Sequence, residues 1–423
     1  MIEVRALASL GQTALDSLLD RPSPLLPKVQ RAVAHVLHEV KSHGDTALLA
    51  FTQQFDGVRL SPDGLRIPNA QFRHAFDAVD PALRAALAQA KEHLERFHER
   101  QRPDDYELTV SPGVQLGQRV VAFERVGLYV PQNLVSSLLM AAVPARLAGV
   151  GQLVVCTPPQ AAGGVPPAIQ AAASLLEVDE LYALGGAQAI AALAYGTQTI
   201  AKVDKIVGPG NAYVTAAKAQ VRDLVGIDLL AGPSEVLLVV DRVADVSEDT
   251  LSTWVLAELR AQLEHGPGTS ALLLARQPAL ARAVADALDP SELHQRNVAL
   301  LSYERLEQAI DFANQYAPEH LCLWGERAEA QLPRVHNAGS VFLGPWSPVA
   351  LGDYTSGTNH ILPTARQGRF GSGLGVRDFV KTISYQRISP QGVQHLAPTV
   401  EVLAQVEGMA RHADAVQARL EPR

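Results

Sequence analysis

Short apolar runs alternate with longer amphipathic stretches through most of this chain, and this alternation limits the fold more than any other pattern. This alternation is typical of a parallel sheet covered by helices on both faces, because the buried strands are continuous apolar runs and the covering helices are amphipathic. We therefore predict an α/β protein, and the length of 423 residues favours two such layers over one. The predicted strands include residues 153–156, 180–184, 204–207, 235–240, 271–274 and 298–302, and the predicted helices include residues 27–50, 81–99, 167–176, 246–264, 277–288 and 304–316.

Two uncharged stretches, residues 126–145 and 181–201, are long enough to raise the question of a membrane span. Proline, glycine and polar amides interrupt both stretches, so we predict that they form buried α/β core. The net charge of −8 provides no general attraction to nucleic acid or to an anionic membrane.

The cysteine content and the first residues indicate the compartment. Cys156 and Cys322 are the only cysteines, too few for a disulfide framework or a thiolate zinc cluster. The N-terminus has an early acid and no apolar run of signal-peptide length. We expect a cytoplasmic protein that acts on a small molecule.

Two glycine-rich turns follow predicted strands, and each opens a helix. They are Gly185-Gly186-Ala187-Gln188 and Gly208-Pro209-Gly210-Asn211. Free N–H groups at a helix start can bind a phosphate or a carboxylate, although either turn alone is also a common tight connection. The sequence has no Walker loop and no G-x-G-x-x-G between a strand and a helix. Two such turns favour a nucleotide or another anion.

Polar residues suited to catalysis occur beside the apolar segments. Gln262 and His265 lie three residues apart at the end of a predicted helix and can share a face. Glu319 and His320 precede an apolar strand, where a carboxylate and an imidazole suit two separate proton transfers. Each pair is also compatible with an ordinary exposed polar segment.

The loop at 351–360 is dense in small polar residues and contains Asp353, an oxygen donor of the type that metals accept. Glu407 and His412 lie in a predicted charged terminal helix at 398–420, where exposed polar residues are common. Spacing alone does not establish that distant residues converge. Two nitrogen and two oxygen donors, suitable for zinc or manganese, are available in Gln262, His265, Asp353 and His412.

Six ordered motifs resemble those of the histidinol dehydrogenase family. They are Val126-Gly127-Leu128-Tyr129-Val130-Pro131, Gly185-Gly186-Ala187-Gln188-Ala189-Ile190-Ala191, Val207-Gly208-Pro209-Gly210-Asn211-Ala212-Tyr213-Val214, Ala231-Gly232-Pro233-Ser234-Glu235, Tyr316-Ala317-Pro318-Glu319-His320-Leu321, and Gly352-Asp353-Tyr354 with Gly357-Thr358-Asn359-His360. The resemblance covers nearly the whole chain. This family oxidises L-histidinol to L-histidine through L-histidinal, in the last steps of histidine biosynthesis, with two NAD⁺ in turn and one zinc ion per subunit.

The resemblance implies a homodimer with shared active sites and two incomplete Rossmann-like domains, which would explain the missing glycine fingerprint. We expect an N-terminal arm at 1–25, a first domain at 26–128 with 237–375, a second domain at 129–236 and a C-terminal dimerisation tail at 376–423. The tail loses the strand–helix alternation, so we predict that it has no sheet of its own and packs on the partner subunit.

The resemblance also implies roles for individual residues. The residues that resemble zinc ligands are Gln262, His265, Asp353 and His412, with His412 coming from the neighbouring subunit. The residues that resemble NAD contacts are Tyr129, Gln188 and Asn211. Substrate-binding groups would be Ser234 and Glu407 together with His320 and the four zinc ligands, and we expect Asn359 and His360 to line the same pocket.

In the implied mechanism, zinc fixes the substrate through its imidazole and amino nitrogens, so that the carbinol carbon faces the nicotinamide. His320 acts as general base on the hydroxyl as hydride leaves. Glu319 then activates the water that attacks the held aldehyde, and a second hydride transfer gives the acid.

The chain departs from the family pattern at three places: Gln132-Asn133 stands where glycines are usual, Leu263 replaces a small residue, and Val349-Ala350 replaces Glu-Ser. None of these positions is a ligand or a proton-transfer residue. Three alternatives remain at this point: a relative that oxidises another polar alcohol, a metal-dependent hydrolase, and a non-catalytic paralogue. A hydrolase would leave the NAD-contact residues unexplained, and intact Glu319 and His320 count against a paralogue without activity.

Overall fold

The structure, a computed structural model, describes residues 2–21, 25–294 and 296–420. Its strands are β1 (Val4–Ala6), β2 (Arg66–Ile67), β3 (Tyr106–Ser111), β4 (Val114–Ala122), β5 (Arg125–Tyr129), β6 (Gln152–Thr157), β7 (Glu180–Ala183), β8 (Lys205–Val207), β9 (Gly226–Ile227), β10 (Glu235–Val240), β11 (Ser270–Ala275), β12 (Asn297–Ser302), β13 (His320–Trp324), β14 (Ser340–Leu343) and β15 (Val380–Ile388). Its α-helices are α1 (Gln12–Leu19), α2 (Pro27–His43), α3 (Asp45–Phe51), α4 (Asn69–Phe72), α5 (Ala75–Ala78), α6 (Pro81–His98), α7 (Val135–Ala148), α8 (Pro167–Leu175), α9 (Gly186–Tyr195), α10 (Ala212–Val221), α11 (Glu248–Leu263), α12 (Pro278–Ala287), α13 (Leu306–Tyr316), α14 (Glu326–Glu329), α15 (Val349–Tyr354), α16 (Pro390–Val406) and α17 (Ala410–Gln417).

Two six-stranded sheets form the centre of the fold. Sheet 1 has the strand order β2-β7-β6-β5-β8-β9, and sheet 2 has the order β1-β12-β11-β10-β13-β14. Neighbouring strands are parallel throughout, except that β2 runs antiparallel to β7. The predicted α/β class with two parallel-sheet layers is confirmed.

Helices cover both faces of each sheet, because strands that are apolar on both sides must be buried on both sides. Helices α7 and α8 pack on one face of sheet 1, and α2, α9 and α10 pack on the other. Sheet 2 lies between α11 with α12 and α1 with α13.

The two uncharged stretches are core, as predicted. They fold as β5 with α7 and as β7 with α9, and both helices are buried on nearly every side. Within the described ranges, the structure contains no helix with the length and apolar character needed to cross a membrane.

The domain division expected from the sequence differs from the sheet topology. The apolar face of α2, including Val33 and Leu37, is buried in one core with Ile190 of α9 and Val214 of α10. Residues 25–98 therefore pack around sheet 1 together with residues 125–227. The expected N-terminal arm belongs to sheet 2, because β1 pairs with β12. An amphipathic pattern shows which face of a helix is buried, but it does not show which sheet covers that face.

The C-terminal tail contains a strand that the sequence reading missed. Strand β15 pairs antiparallel with β4 along all nine of its residues, and β3 pairs with the other edge of β4 to complete sheet 3. The strand is mostly exposed, so it lacks the continuous apolar run by which the other strands were recognised. Two helices follow, α16 and α17, and the chain turns between them at Gly408, whose φ is +70°.

A buried ion pair holds the turn that follows β8. Lys218 and Asp228 form this pair with both side chains almost fully enclosed. Lys218 also donates to the Gly208 carbonyl at 3.0 Å, and Asp228 Oδ2 accepts from the Gly208 N–H at 2.7 Å. Gly208 has a φ of +124°, and a Cβ at this position would overlap the Tyr129 carbonyl oxygen. The turn is thus fixed on both sides of its first glycine.

We predict that Lys218→Met lowers the free energy of unfolding by about 3–5 kcal/mol, because it leaves the Asp228 carboxylate buried and unpaired. Arg222→Met removes the cation of the exposed Arg222–Asp223 pair and should change stability by less than about 1 kcal/mol. Urea unfolding followed by circular dichroism measures both. Equal effects of the two substitutions would contradict the importance of the buried pair.

Candidate active site

A cavity of about 920 Å³ lies where the carboxyl ends of sheet 1 face the amino ends of sheet 2. Segments that follow β5, β8 and β9 form one wall, and the starts of β10 and β13 form the other. The end of α11, helix α15 and the loop after it complete the lining. The predicted site residues that line this cavity are Asn211, Ser234, Gln262, His265, Glu319, His320, Asp353 and His360.

Glu319 and His320 stand at the start of β13, and both are buried. The adjacent strand β10 holds them through Glu235. Glu319 Oε2 accepts a hydrogen bond from the Glu235 N–H at 2.9 Å, and His320 Nδ1 lies 3.1 Å from the Glu235 carbonyl oxygen. Since a carbonyl only accepts, Nδ1 carries a proton and donates it there. His320 Nε2 has no hydrogen-bond partner and lies 3.6 Å from Asp353 Oδ1.

Burial and close charges shift the proton affinity of this pair. Burial raises the pKa of Glu319, although the neighbouring His320 opposes the shift. Burial alone would lower the pKa of His320, but the carboxylates of Glu319 and Asp353 raise it above its usual range. Both shifts favour the protonated form of each group, so this pair can take up and hold a proton near neutral pH.

Three of the four expected metal ligands line the cavity together. Gln262 is 4% exposed, and its Nε2 atom has no hydrogen-bond partner. His265 Nδ1 lies 3.1 Å from the Gln262 carbonyl oxygen, which leaves the other ring nitrogen available. Burial would raise the pKa of Asp353, but the imidazoles of His320, His360 and His265 lower it, so it is an ionised carboxylate. A buried amide oxygen, an imidazole nitrogen and a carboxylate form a donor set that fits a divalent cation.

The fourth expected ligand lies elsewhere in this chain. His412 in α17 and Glu407 just after α16 are both exposed, and neither lines the cavity. Within residues 2–21, 25–294 and 296–420, no group of three or more His, Cys, Asp or Glu side chains is arranged to hold a metal ion. The cavity of one chain therefore offers an incomplete ligand set.

The loop after α15 has one residue in the cavity and one outside it. His360 lines the cavity, as predicted; its Nδ1 donates to the Asp353 carbonyl oxygen at 2.8 Å and its Nε2 lies 3.1 Å from Ser137 Oγ. The expectation for Asn359 is wrong. Its amide donates to the Met140 carbonyl oxygen at 2.7 Å and accepts from the Ile361 N–H, so it fixes the loop from inside the core.

Asp353 itself lies in a helix and not in the loop predicted at 351–360, because α15 covers Val349–Tyr354. Val349, a departure from the family pattern, is buried in the core with Leu263, a second departure. The remaining departure is Gln132-Asn133, in which Asn133 has a φ of +65°. Asparagine tolerates this left-handed conformation better than other non-glycine residues, so it can replace a glycine there.

The expected NAD contacts divide into two places. Asn211 lines the cavity, and its side chain also caps α10 by accepting from the Tyr213 and Val214 N–H groups. Tyr129 and Gln188 are buried beyond the cavity wall. There the Tyr129 hydroxyl accepts from the Gly186 N–H at 3.2 Å.

The sequence reading missed Glu258 as a residue of the cavity. It lies one helical turn before Gln262 on α11, and its Oε2 accepts from the Val349 N–H at 3.2 Å. Burial and the nearby Asp353 raise its pKa. The sequence could have indicated this residue, since Glu258 lies four positions before Gln262 and residues four apart share a helix face.

Comparison with known proteins agrees with the motifs. The sequence profile described as Histidinol dehydrogenase matches residues 19–420. A histidinol dehydrogenase of Methanosarcina barkeri is 42% identical over 99% of this chain and 98% of its own length. One from Agrobacterium fabrum is 44% identical over 93% of each chain.

A solved structure extends this agreement to the fold. The crystal structure of histidinol dehydrogenase from Elizabethkingia anophelis superimposes with a TM-score of 0.89 at 34% identity, covering 99% of this chain and 98% of that one. With a family profile and relatives above 40% identity that each match nearly its whole length, this chain belongs to the histidinol dehydrogenase family.

Proposed function

We propose that this chain oxidises L-histidinol to L-histidine in two consecutive NAD-dependent steps. The observation that carries the proposal is the cavity in which Glu319, His320 and three metal-ligand candidates face the wall formed by the turn at residues 209–211. No lysine or arginine lines the cavity among the residues that the structure describes, whereas Glu258, Glu319 and Asp353 do. An acidic cavity of this kind suits a cationic amino alcohol and a divalent metal.

Zinc would be held by Gln262, His265 and Asp353 together with the His412 residue of a second subunit. When bound, it would grip the imidazole and amino nitrogens of the substrate. The positions of Gln262 and His265 in one cavity and the ionised state of Asp353 support this assignment.

His320 would act on the substrate hydroxyl. Its Nδ1 proton is held by the Glu235 carbonyl, so in the neutral ring the lone pair lies on Nε2, the atom without a partner. The carboxylates of Glu319 and Asp353 raise its pKa, and a cation bound at Asp353 would cancel part of that shift and favour the neutral ring that the step requires. It takes the hydroxyl proton as hydride passes to NAD⁺ and the alcohol becomes the aldehyde.

Glu319 would act in the second step. Its Oε2 is occupied by the Glu235 N–H, which leaves Oε1 for a water molecule. The carboxylate takes a proton from this water as the water attacks the aldehyde, and the resulting hydrate passes its hydride to a second NAD⁺ to give the acid.

A homodimer would complete the site. The tail presents apolar side chains to solvent in α16 and after it, namely Val402, Leu403, Val406 and Met409. Such a patch beside Glu407 and His412 is typical of a subunit interface. We propose that the tail packs on the partner and supplies these two residues to its cavity. The two free, buried cysteines are compatible with a cytoplasmic location.

The direct test supplies the protein with L-histidinol and NAD⁺ and counts the products. We expect two NADH for each histidine formed, because an alcohol becomes an acid by two hydride transfers. Activity should fall after chelation and return with zinc. Histidine formed without NADH would exclude the proposal, and oxidation of other amino alcohols in preference to histidinol would indicate a different substrate.

Glu319→Gln should separate the two half-reactions. The amide can still accept from the Glu235 N–H but cannot act as a base, so we expect oxidation of L-histidinal to slow by about 10²-fold or more and oxidation of L-histidinol to slow far less. Stopped-flow NADH formation with each substrate measures the two rates. Equal losses in both would assign Glu319 a different role.

Mixing two inactive variants tests whether His412 crosses between subunits. His412→Ala and His265→Ala chains should each be inactive, and a heterodimer should contain one cavity with both imidazoles. Random mixing after mild dissociation should therefore restore about a quarter of the wild-type activity. If mixing restores none, the site is built within one chain.

A further inference from the structure

An arginine outside the cavity joins three segments around sheet 2. Arg21 lies two residues after α1, and its side chain is 6% exposed. Its Nε donates to Glu235 Oε1 at 3.1 Å, and its Nη2 donates to the Tyr316 carbonyl oxygen at 2.8 Å. Its Nη1 donates to the Leu19 carbonyl oxygen at 2.9 Å, and its Cζ lies 3.3 Å from the centroid of the Tyr316 ring. Arg21 thus connects the end of α1 with the start of β10 and the end of α13.

Two of these segments carry the reactive pair. Glu235 begins β10, and its main chain bonds Glu319 Oε2 at 2.9 Å and His320 Nδ1 at 3.1 Å. Tyr316 ends α13, three residues before Glu319. Arg21 therefore holds the side chain of the residue that orients the pair, and it also holds the last carbonyl of the helix that leads into the pair.

The turn between α13 and β13 needs this support. Ala317 has a φ of +48° and a ψ of +63°, a left-handed conformation that residues with a side chain rarely adopt. Glycine is the usual residue where a helix ends in this way. Surrounding contacts hold Ala317 in the conformation, and the bond from Arg21 to the carbonyl just before it is one of them. Glu319 follows two residues later, so a relaxed turn would displace its carboxyl group.

The carboxylate of Glu235 depends on the same cation. Glu235 is 2% exposed, and its Oε1 accepts from Arg21 and from the Ala365 N–H at 3.2 Å. Burial raises the pKa of Glu235, and the guanidinium of Arg21 opposes that shift. Removing one partner of a buried ion pair leaves an uncompensated group and is strongly destabilising. Without Arg21, we expect the start of β10 to rearrange.

Resting on the function proposed above, we propose that Arg21 is a positioning residue of this active site. Through Glu235 and Tyr316 it sets the orientation in which Glu319 and His320 meet the substrate. Groups that transfer protons must lie within hydrogen-bond reach of the atoms on which they act, so a small displacement of the pair slows the chemical step. The N-terminal segment is thus part of the catalytic framework, although Arg21 lies outside the cavity.

The test measures the chemical step apart from the fraction of folded protein. Zinc-loaded protein, saturating and in excess over L-histidinol, is mixed with NAD⁺ in a stopped-flow instrument, so that unfolded chains do not change the observed rate constant of NADH formation. We expect Arg21→Met to lower this rate constant by about tenfold or more, because the reactive groups are misplaced. Its affinity for NAD⁺, measured by calorimetry, should not change, because the glycine turns lie on sheet 1.

Arg125→Met is the matched control. Arg125 forms an enclosed ion pair with Glu180, with nitrogen–oxygen distances of 2.6 and 3.3 Å, at the amino end of β5, which is remote from the cavity. This variant should lose stability in urea unfolding, as Arg21→Met does, but keep the wild-type rate constant. Arg21→Lys keeps the charge but lacks the fork that reaches Glu235 and Tyr316 together, so its rate constant should lie between those of the wild type and Arg21→Met.

Equal rate constants in Arg21→Met and Arg125→Met would overturn the inference, since Arg21 would then contribute to stability alone. If Arg21→Met does not fold, Arg21→Lys decides: a reduced rate constant supports the inference, and a wild-type rate constant overturns it. A wild-type protein that forms no NADH refutes the proposed function itself. A wild-type protein that forms NADH, with the same rate constant in the Arg21 variants, refutes this inference alone.

Discussion

Glu235 connects the segments from which the cavity is built. Its main chain holds both members of the Glu319–His320 pair, while its carboxylate bonds Arg21 Nε at 3.1 Å and the Ala365 N–H at 3.2 Å. Arg21 in turn lies over the Tyr316 ring at 3.3 Å. Because these groups are buried, each would be left without a hydrogen-bond or ionic partner if its neighbour moved, and an unsatisfied buried polar group is destabilising. The parallel pairing of β10 with β13 thus orients the reactive side chains before any ligand arrives.

The two sheets turn opposite strand ends toward the cavity and contribute different groups to it. Sheet 1 presents the carboxyl ends of its strands, where glycine turns and helix starts can accept a nucleotide. Sheet 2 presents amino ends, and its contribution is side chains with acid–base chemistry. Enclosure between the two edges excludes water and keeps charged groups close, which is why the pKa values of Glu258, Glu319 and His320 are all raised.

The local features of this protein were predictable, and its long-range connections were not. The apolar run Glu235–Val240 could only be a buried strand, and Glu319 with His320 had to stand at a strand start. The helical stretch at residues 27–50 was equally evident, and the structure divides it at Gly44 into α2 and α3. The sequence did not show which sheet its apolar face covers, because that face fits either one. The prediction that Asn359 lines the pocket failed for a similar reason. A polar side chain in a loop can form hydrogen bonds to buried main-chain groups as readily as to a ligand.

The alternation of apolar runs with amphipathic stretches indicated the α/β class, since parallel sheets covered by helices bury their strands on both faces. The residue types in the motifs indicated which chemistry was available. Tertiary structure decided everything that requires two distant segments to meet: that Gln262, His265 and Asp353 share one cavity, that Glu258 joins them, and that β15 forms a sheet with β3 and β4. Periodicity describes the face of one element, whereas a site arises from the packing of several, and the energy that selects that packing is spread over contacts between residues far apart in the chain.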